Sequence, residues 1–394
     1  MFVGNNLTNI RMLFGFSINE LADHVMVSSH RIWQLECNYV VPTFEELSRF
    51  SDLFEVRRKY FIKEDFLKTE VEANLIAYRS ETIGDRFHVV EEAKHLAFID
   101  ALLQPIESYV IMPQSTIVSL RDYVINLTNQ KYDKITIDEL IKEIAEHSRK
   151  FLGLNKGNNN QLLYLLENSG IIILEKSVGE GADAYSTWIN EERPIIMLGN
   201  QKRVNVRRNF DLAHELGHLL LHYMKDVRTH DKKRENKLEQ EANLFAGYFL
   251  LPEQEFTYDF LELKSVTNPD SYLSLKEKWQ VSIQAIAYRA NKLGLLEYDK
   301  YRRFNIAINR KGYKKQEPLD DKIALVRPAR VKSLFDMVFS HELSLNDFLR
   351  DLNIELGFLT RVFGFETDFL MSYIKNTDTF ETKKIASVKL IAKK

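Results

Sequence analysis

The stretch NFDLAHELGHLLLHY, residues 209–223, predicts the central helix of the fold and carries the candidate metal-binding residues. It contains HELGH at residues 214–218, an H-E-x-x-H arrangement. Residues four apart lie above one another on a helix, so His214 and His218 can reach one ion while Glu215 projects beside it. The surrounding residues are apolar on nearly every side, which predicts a buried helix. Two histidines and a carboxylate buried there need a metal or polar partners.

A third metal ligand is expected downstream, because a catalytic zinc takes three protein ligands and leaves one position for water. Residues 239–252, EQEANLFAGYFLLP, supply it. Glu239 shares a helical face with the small residues Ala242 and Ala246, which would let this helix approach the first one closely. Glu241 is the competing ligand, but it points away from that stripe and is interpreted as a solvated charge.

These residues predict a zinc site held by His214, His218 and Glu239. The donors are nitrogen and oxygen atoms, and Cys37 is the only cysteine, so cysteine-rich zinc modules are excluded. Glu215 is then the general base that takes a proton from the attacking water.

The other polar residues near the motif are assigned no metal. His222 follows His218 by four residues, but the helix ends there and three ligands are already assigned. Arg207 and Arg208 are expected to hold carboxylates at the start of the helix. The H-E-x-x-H pattern on a helix is typical of metallopeptidases, and such an enzyme also needs a donor for the developing oxyanion. The sequence leaves four candidates open for that role: Tyr185, Tyr223, Tyr248 and His230.

Composition limits the class of protein. A chain of 394 residues predicts two to four domains, and 45% hydrophobic with 28% charged residues excludes fibrous and disordered proteins. The formal net charge of -2 gives no global attraction to nucleic acid or an anionic membrane. The N-terminus lacks a signal-peptide pattern, and no stretch approaches the 18 apolar residues that span a bilayer. A soluble cytoplasmic protein that does not bind membranes is expected.

Residues 17–36 have the pattern of a helix-turn-helix segment. Ser17 and Glu20 form a capping box for the first helix, and Ser28 caps the second. The second helix would turn four side chains outward as candidate DNA contacts: Ser29, His30, Trp33 and Gln34.

On this pattern, residues 1–64 resemble the XRE family of phage-repressor-like DNA-binding domains. Two positions depart from that family, since Met26 stands where a turn glycine is usual and Asn38 replaces a second glycine. The segment has seven Lys and Arg against eight Asp and Glu, so strong phosphate binding is not expected. DNA binding is therefore expected to be weak for the segment alone and to need a homodimer or the rest of the chain. The alternative is a domain that docks a protein partner.

Branched apolar runs predict three strands, at residues 171–174, 184–189 and 194–198. Helical patterns precede and follow them. The fold class is therefore mainly α with a small β-sheet (α+β). It combines an N-terminal all-α helix-turn-helix domain, a zincin-like peptidase core with the HExxH helix and a C-terminal helical region.

Five segments are expected along the chain. They are a helix-turn-helix domain at 1–64, a helical linker region at 65–134, a zinc peptidase core at 135–265, a helix-turn-helix-like extension at 266–320 and a C-terminal helical region at 321–394. The last segment ends in lysines, interpreted as a solvated tail.

Further motifs bear on the family. The order E-x-x-A-N at residues 239–243 resembles the glutamate helix of gluzincin-type zinc peptidases, which implies that Asn243 hydrogen-bonds a ligating histidine. With AYS at 184–186, RRNF at 207–210, the HELGH helix and residues 279–296, the middle of the chain resembles the ImmA/IrrE family of metallo-endopeptidases. YRS at residues 78–80 resembles a motif of the longer members that carry an XRE domain.

The resemblance implies a cytoplasmic zinc endopeptidase that cleaves a specific repressor-type regulatory protein. Two alternatives remain. One is a non-proteolytic transcription regulator whose peptidase-like module senses metal or a ligand, although a sensor has no need of Glu215 as a base. The other is a structural zinc protein, which would want a fourth side chain as ligand.

Overall fold

Seven stretches of the chain are described by the computed structural model: residues 1–62, 64–78, 85–154, 158–176, 184–200, 204–223 and 232–375. Eighteen α-helices occur in these stretches. In chain order they are α1 (Gly4–Leu13), α2 (Ile18–Val25), α3 (Ser29–Glu36), α4 (Phe44–Phe54), α5 (Asp85–Glu107), α6 (Thr116–Lys131), α7 (Ile137–Phe151), α8 (Leu162–Asn168), α9 (Asn205–Leu221), α10 (Lys232–Leu250), α11 (Glu253–Leu261), α12 (Leu273–Trp279), α13 (Ile283–Lys292), α14 (Tyr298–Arg310), α15 (Arg330–His341), α16 (Leu345–Leu352), α17 (Leu356–Phe363) and α18 (Thr367–Lys375).

The described residues form one small sheet, which confirms the predicted fold class of mainly α with a small β-sheet. Its strands are β1 (Ala77–Tyr78), β2 (Ile172–Lys176), β3 (Ala184–Ile189) and β4 (Arg193–Gly199), in the spatial order β1-β3-β4-β2. β3 and β4 form an antiparallel hairpin, while β2 runs parallel to β4. The three predicted strands are present with nearly their predicted bounds.

Strand β1 was not predicted, because two residues carry no periodic pattern. It pairs antiparallel with β3, Tyr78 lying opposite Tyr185, within a segment expected to be a helical linker. Arg79 and Ser80, which complete the YRS motif, lie outside the described residues.

Local capping explains where several helices begin. In α2 the Ser17 hydroxyl accepts from the Glu20 amide, and the Glu20 carboxylate accepts from the Ser17 amide, as the sequence predicts. In α3 the Ser28 hydroxyl accepts from the Arg31 amide. The short turn between α2 and α3 has Met26 at φ 54°, a left-handed conformation that favours glycine. The segment thus adopts two helices joined by a tight turn, although Met26 stands at the turn position where glycine is usual.

The first of two compact units comprises Met1–Glu70, Val90–Ile111 and Lys332–Lys394. Aromatic side chains dominate its core, where the Phe98 ring lies 5.6 Å from that of Phe358. Val56 and Ile354 are joined by an antiparallel bridge. Helices α15 to α18 each have an apolar face and bury it within this unit. The lysines at 383–394 lie outside the described residues.

The second unit comprises Val71–Val89 and Met112–Val331 and holds the sheet, α6 to α14 and a continuous apolar core. β3 packs on α9, where the Trp188 indole donates to the Leu219 carbonyl at 2.9 Å. Helix α10 packs against α9 and α7. This arrangement places α9 between the sheet and α10, so the HELGH residues are enclosed by both. None of the described helices is long and apolar enough to span a lipid bilayer.

Candidate metal centre

Helices α9 and α10 approach closely at Gly217, the fourth residue of the HELGH motif. A Cβ atom at this position would lie 3.1 Å from Phe245 Cδ1 and 3.3 Å from Ala242 Cα. Ala242 and Ala246 are fully buried, as expected for small residues at a close helix crossing. The small side chains on both helices bring Glu239 of α10 within reach of the two histidines of α9.

The three predicted ligands meet at one point. His214 Nε2 lies 3.0 Å from His218 Nε2, and Glu239 places Oε1 3.2 Å from His218 Nε2 and Oε2 3.4 Å from His214 Nε2. Among the described residues, these three form the one group of His, Cys, Asp or Glu side chains close enough to hold a metal, with ligand atoms within 4.8 Å of one another.

Hydrogen bonds fix which nitrogen of each imidazole carries the proton. His214 Nδ1 lies 3.1 Å from Asn243 Oδ1, which can only accept, so His214 donates from Nδ1 and keeps a lone pair on Nε2. This is the contact that the E-x-x-A-N resemblance implied for Asn243. It holds the His214 ring in the tautomer that a metal requires.

His218 is held in the same way by a second pair of residues. Its Nδ1 lies 3.0 Å from His222 Nδ1, and His222 Nε2 lies 3.1 Å from Glu241 Oε2. If His222 donates to the Glu241 carboxylate, its Nδ1 must accept from His218, which leaves the lone pair of His218 on Nε2. The interpretation of Glu241 as a solvated charge is therefore wrong: its side chain is only 12% exposed and it contacts His222. His222 is not among the three clustered ligands, as predicted.

The arrangement fits a zinc ion. Two neutral imidazoles facing each other with Nε2 lone pairs 3.0 Å apart repel unless a cation lies between them. Glu239 Oε2 is buried and has no hydrogen-bond partner among the described residues, a costly position that a metal would relieve. Two nitrogens and one carboxylate oxygen are the donors of many catalytic zinc sites.

Charge in the cluster follows from burial and from the neighbouring rings. Burial lowers the pKa of His218 to about 4, against the opposing effect of Glu239, so this ring is neutral at neutral pH. Burial alone would raise the pKa of Glu239, but the adjacent His214 and His218 rings lower it well below its usual range. Neutral imidazoles and an ionised carboxylate are the forms that ligate metal.

Glu215 is buried beside the cluster and does not belong to the ligand set. The Ser186 hydroxyl of β3 donates to Glu215 Oε2 at 2.6 Å. Burial raises the pKa of Glu215 to about 8, although His214 and Ser186 oppose the shift. A carboxylate with a pKa near neutrality, held by a strand residue, can both accept and release a proton. Ser186 falls within the AYS motif, but the sequence did not indicate this contact.

The oxyanion donor is not selected by the structure, but three candidates have identified surroundings. Tyr248 donates to Asp138 at 2.6 Å, and burial together with that carboxylate raises its pKa to about 12. Tyr185 is fully buried in β3. The ring of Tyr223 packs under Arg121. His230 lies outside the described residues.

The two arginines at the start of α9 differ in what they bind. Arg208 is buried and pairs with the Glu175 carboxylate of β2, as expected. Arg207 instead donates to the Lys315 carbonyl at 2.6 Å, so the expectation of a carboxylate partner is not met by that contact.

The side chains of α3 that are candidate DNA contacts differ in their solvent exposure. Trp33 is 43% exposed, and its ring lies 5.4 Å from that of His30 and 5.3 Å from that of Tyr39. Ser29 and Gln34 are half-buried. The face is thus aromatic rather than basic, and its role in DNA binding stays a prediction.

Residues 166–291 match the profile of the Peptidase M78 family, described as the IrrE N-terminal-like domain. The match begins in α8 and ends in α13. A solved structure, a Mycobacterium tuberculosis transcriptional regulator, aligns with 18% identity and a TM-score of 0.31 over 45% of this chain and 52% of that chain. The alignment thus spans about half of that regulator, and so low a TM-score does not establish a shared fold. No curated protein matches the sequence.

Proposed function

Because residues 166–291 form an IrrE N-terminal-like domain of the Peptidase M78 family, we propose that this chain is a zinc-dependent endopeptidase. One observation carries the proposal. The Nε2 atoms of His214 and His218 converge with the Glu239 carboxylate, while a fourth titratable residue, Glu215, lies beside them outside the ligand group. A site with three protein ligands and a separate carboxylate base is the arrangement of catalytic rather than structural zinc.

Each residue has a defined part in hydrolysis. His214, His218 and Glu239 would hold zinc, which supplies polarisation of the scissile carbonyl and a lower pKa for water. Glu215 accepts the proton of the attacking water and passes it to the leaving amine. Ser186 holds the Glu215 carboxylate at 2.6 Å and so keeps its orientation while the proton moves.

The non-proteolytic regulator is the rival hypothesis. A module that only sensed metal would need the ligands but not a buried carboxylate beside them, since burying Glu215 raises its pKa to about 8 and therefore costs stability when it ionises. Among the described residues Glu215 forms no ion pair with Lys or Arg, and a buried base of this kind is better explained by catalysis. A closed structural site is disfavoured because no fourth clustered ligand occurs among the described residues.

The substrate and the place of action are further parts of the proposal. The ImmA/IrrE resemblance supports a repressor-type protein as substrate and the cytoplasm as compartment. The α2–α3 pair of the first unit would locate the enzyme on DNA or on a protein partner, with DNA binding weak unless two copies of the chain associate.

The experiment compares the zinc-loaded wild-type chain with Glu215→Gln. Repressor-type proteins encoded in the same genome are offered as substrates, and cleavage is followed by intact-mass spectrometry. Glu215→Gln should keep its zinc and lose at least about 100-fold in rate, because an amide cannot accept the proton. Glu146→Gln, an exposed position on α7, is the matched control and should cut at the wild-type rate.

Equal cleavage by Glu215→Gln would refute the mechanism and favour the regulator. Zinc content is measured on the same samples. His214→Ala, His218→Ala and Glu239→Gln should each lose most of the metal, and wild-type zinc levels in any of them would show that the ligand set is wrong.

A further inference from the structure

A cavity of about 840 Å³ adjoins the metal cluster on the side of Asn243. It lies among α9, α10 and α13. Phe210, one helical turn before His214, lines it, as does Asn243, whose Oδ1 holds His214 Nδ1 at 3.1 Å. The cavity therefore begins at residues that contact His214 or precede it by one helical turn, while none of the three predicted ligands lines it.

The walls of this cavity are mostly apolar and one side is open to solvent. Val206, Leu244 and Val281 are among the lining residues. Tyr288 is 51% exposed and Asp138 is exposed, so the cavity is accessible at that side. Its volume is in the range of pockets that enclose small ligands or peptide side chains.

A buried cation lies in the lining. Arg289 of α13 is only 6% exposed, and its guanidinium stands 4.2 Å from the centre of the Tyr248 ring. Its Nε donates to the Leu251 carbonyl at 3.1 Å, but Nη2 is buried and has no hydrogen-bond partner among the described residues. The Tyr248 hydroxyl donates its proton to Asp138, and its oxygen faces the Arg289 guanidinium, which leaves Nη2 as the donor without a partner among the described residues. A buried guanidinium with an unused donor favours a carboxylate, which matches its planar geometry.

The charges around the cavity favour the same ligand. Three basic residues line it, Arg207, Arg289 and Lys292, against two acidic ones, Asp138 and Asp211. Lys292 is exposed, while Arg289 is the deeper of the two basic groups on α13. An anionic group with an apolar stem would fill the apolar part and reach the guanidinium.

We propose that this cavity is a substrate subsite that binds the side chain of a glutamate or aspartate close to the scissile bond. The inference rests on the proposed peptidase function and names its specificity. Arg289 is a specificity-determining residue that contacts substrate. Arg289 also donates to the Leu251 carbonyl at the end of α10. A test must therefore separate recognition of the substrate side chain from stabilisation of that helix.

Arg149 provides the matched control. It is equally buried and donates to the Phe249 carbonyl at the same end of α10, but it does not line the cavity. Arg149→Gln should therefore disturb α10 at least as much as Arg289→Gln, because Arg149 also donates to Asn159 Oδ1 and to the Asn158 carbonyl. Only the second removes the cation from the subsite.

In the first experiment, the zinc-loaded full chain is incubated with a mixture of peptides randomised at each position. The cleavage sites are then identified by mass spectrometry. The wild type and Arg149→Gln should enrich Glu and Asp at one position beside the cut bond. Arg289→Gln should reduce that preference at least tenfold, and Arg289→Lys should keep part of it. No acidic preference in the wild type, or a preference that survives Arg289→Gln, would overturn the subsite.

The second experiment measures binding without cleavage, so it does not depend on the peptidase proposal. The zinc-loaded Glu215→Gln chain is titrated calorimetrically with acetyl-Ala-Leu-Glu-Leu-Ala-amide and with the same peptide carrying Gln. The acidic peptide should bind at least tenfold more tightly, and Arg289→Gln should abolish the difference. Equal affinities, or no binding of the acidic peptide at millimolar concentration, would refute the subsite. Acid-selective binding by a chain that cuts no peptide would refute the peptidase function alone.

Discussion

His222 Nε2 lies 3.1 Å from Glu241 Oε2, and through this contact a glutamate of α10 supports His218 of α9. Glu239 and Glu241 are two residues apart, yet Glu239 belongs to the metal cluster whereas Glu241 contacts the His222 ring, which in turn contacts His218. Helix α10 thus acts on both nitrogens of His218, on Nε2 directly through Glu239 and on Nδ1 through Glu241 and His222. Because the two roles differ, a change at Glu239 and a change at Glu241 should lower zinc affinity by different amounts.

Breaking the His222–Glu241 pair should weaken zinc binding without abolishing it. His222→Ala and Glu241→Gln should each lower zinc affinity by about 10- to 100-fold, because the His218 tautomer is no longer held. Affinity is measured by competition with a chelator. Glu241→Asp should recover part of the loss, since it restores the carboxylate.

Gln240→Ala is the control for this comparison, because Gln240 is exposed on the same helix. Its zinc affinity should equal that of the wild type. Unchanged affinity in Glu241→Gln would mean that the pair has no influence on the metal.

Gly217→Ala should misplace Glu239 by pushing the two helices apart. The added methyl would lie 3.1 Å from the Phe245 ring, so the expected loss is about 1–3 kcal/mol of unfolding free energy together with weaker zinc binding. Gly247→Ala is the control, because nothing lies within 4 Å of a Cβ there. That change should be neutral or slightly stabilising, since alanine favours a helix. Equal stability in both variants would contradict the close helix contact.

The metal-free protein should lose stability between pH 6.5 and 8. Burial raises the pKa of Glu215 from 4.5 to about 8, so the folded state binds more protons and stability falls as pH rises through this interval. His218, whose pKa burial lowers from 6.5 to about 4, acts in the opposite direction, but only below pH 6.5. The two effects oppose each other between pH 4.5 and 6.5.

The measurement is the melting temperature of metal-free wild type and metal-free Glu215→Gln at pH 6.5 and 8. The wild type should melt lower at pH 8, and the variant should show a clearly smaller decrease. A decrease of the same size in both proteins would assign the effect to other groups.

DNA binding by residues 1–64 alone should be weak and sensitive to salt, because the segment has one more acidic than basic residue. The full chain should bind better if two copies associate. A mobility-shift assay on the DNA upstream of its own gene would compare the full chain, the segment and the double variant His30→Ala/Gln34→Ala. Tight specific binding unaffected by the double change would mean that α3 does not read the bases. No binding at low salt would indicate a protein-docking unit.

Much of the site was predictable because helical spacing is a local property. His214 and His218 are four positions apart, which places both rings on one face, and the small residues Ala242 and Ala246 indicate which face of α10 approaches them. Glu239 follows from the same periodicity. The three longer strands were predicted for a similar reason, since a run of branched apolar residues marks a buried strand without knowledge of its neighbours.

What the sequence by itself determined is therefore the grouping of His214, His218 and Glu239, the HELGH helix that carries Glu215, and the class of fold. Tertiary structure decided the partners of those residues. The rotation of α10 against α9 brings Glu241 to His222, and the packing of β3 on α9 brings Ser186 to Glu215. It also decided that α15 to α18 share a unit with the first 70 residues. The physical reason is that periodicity shows which face of a helix is apolar, whereas the element covering that face depends on contacts between residues far apart in the chain.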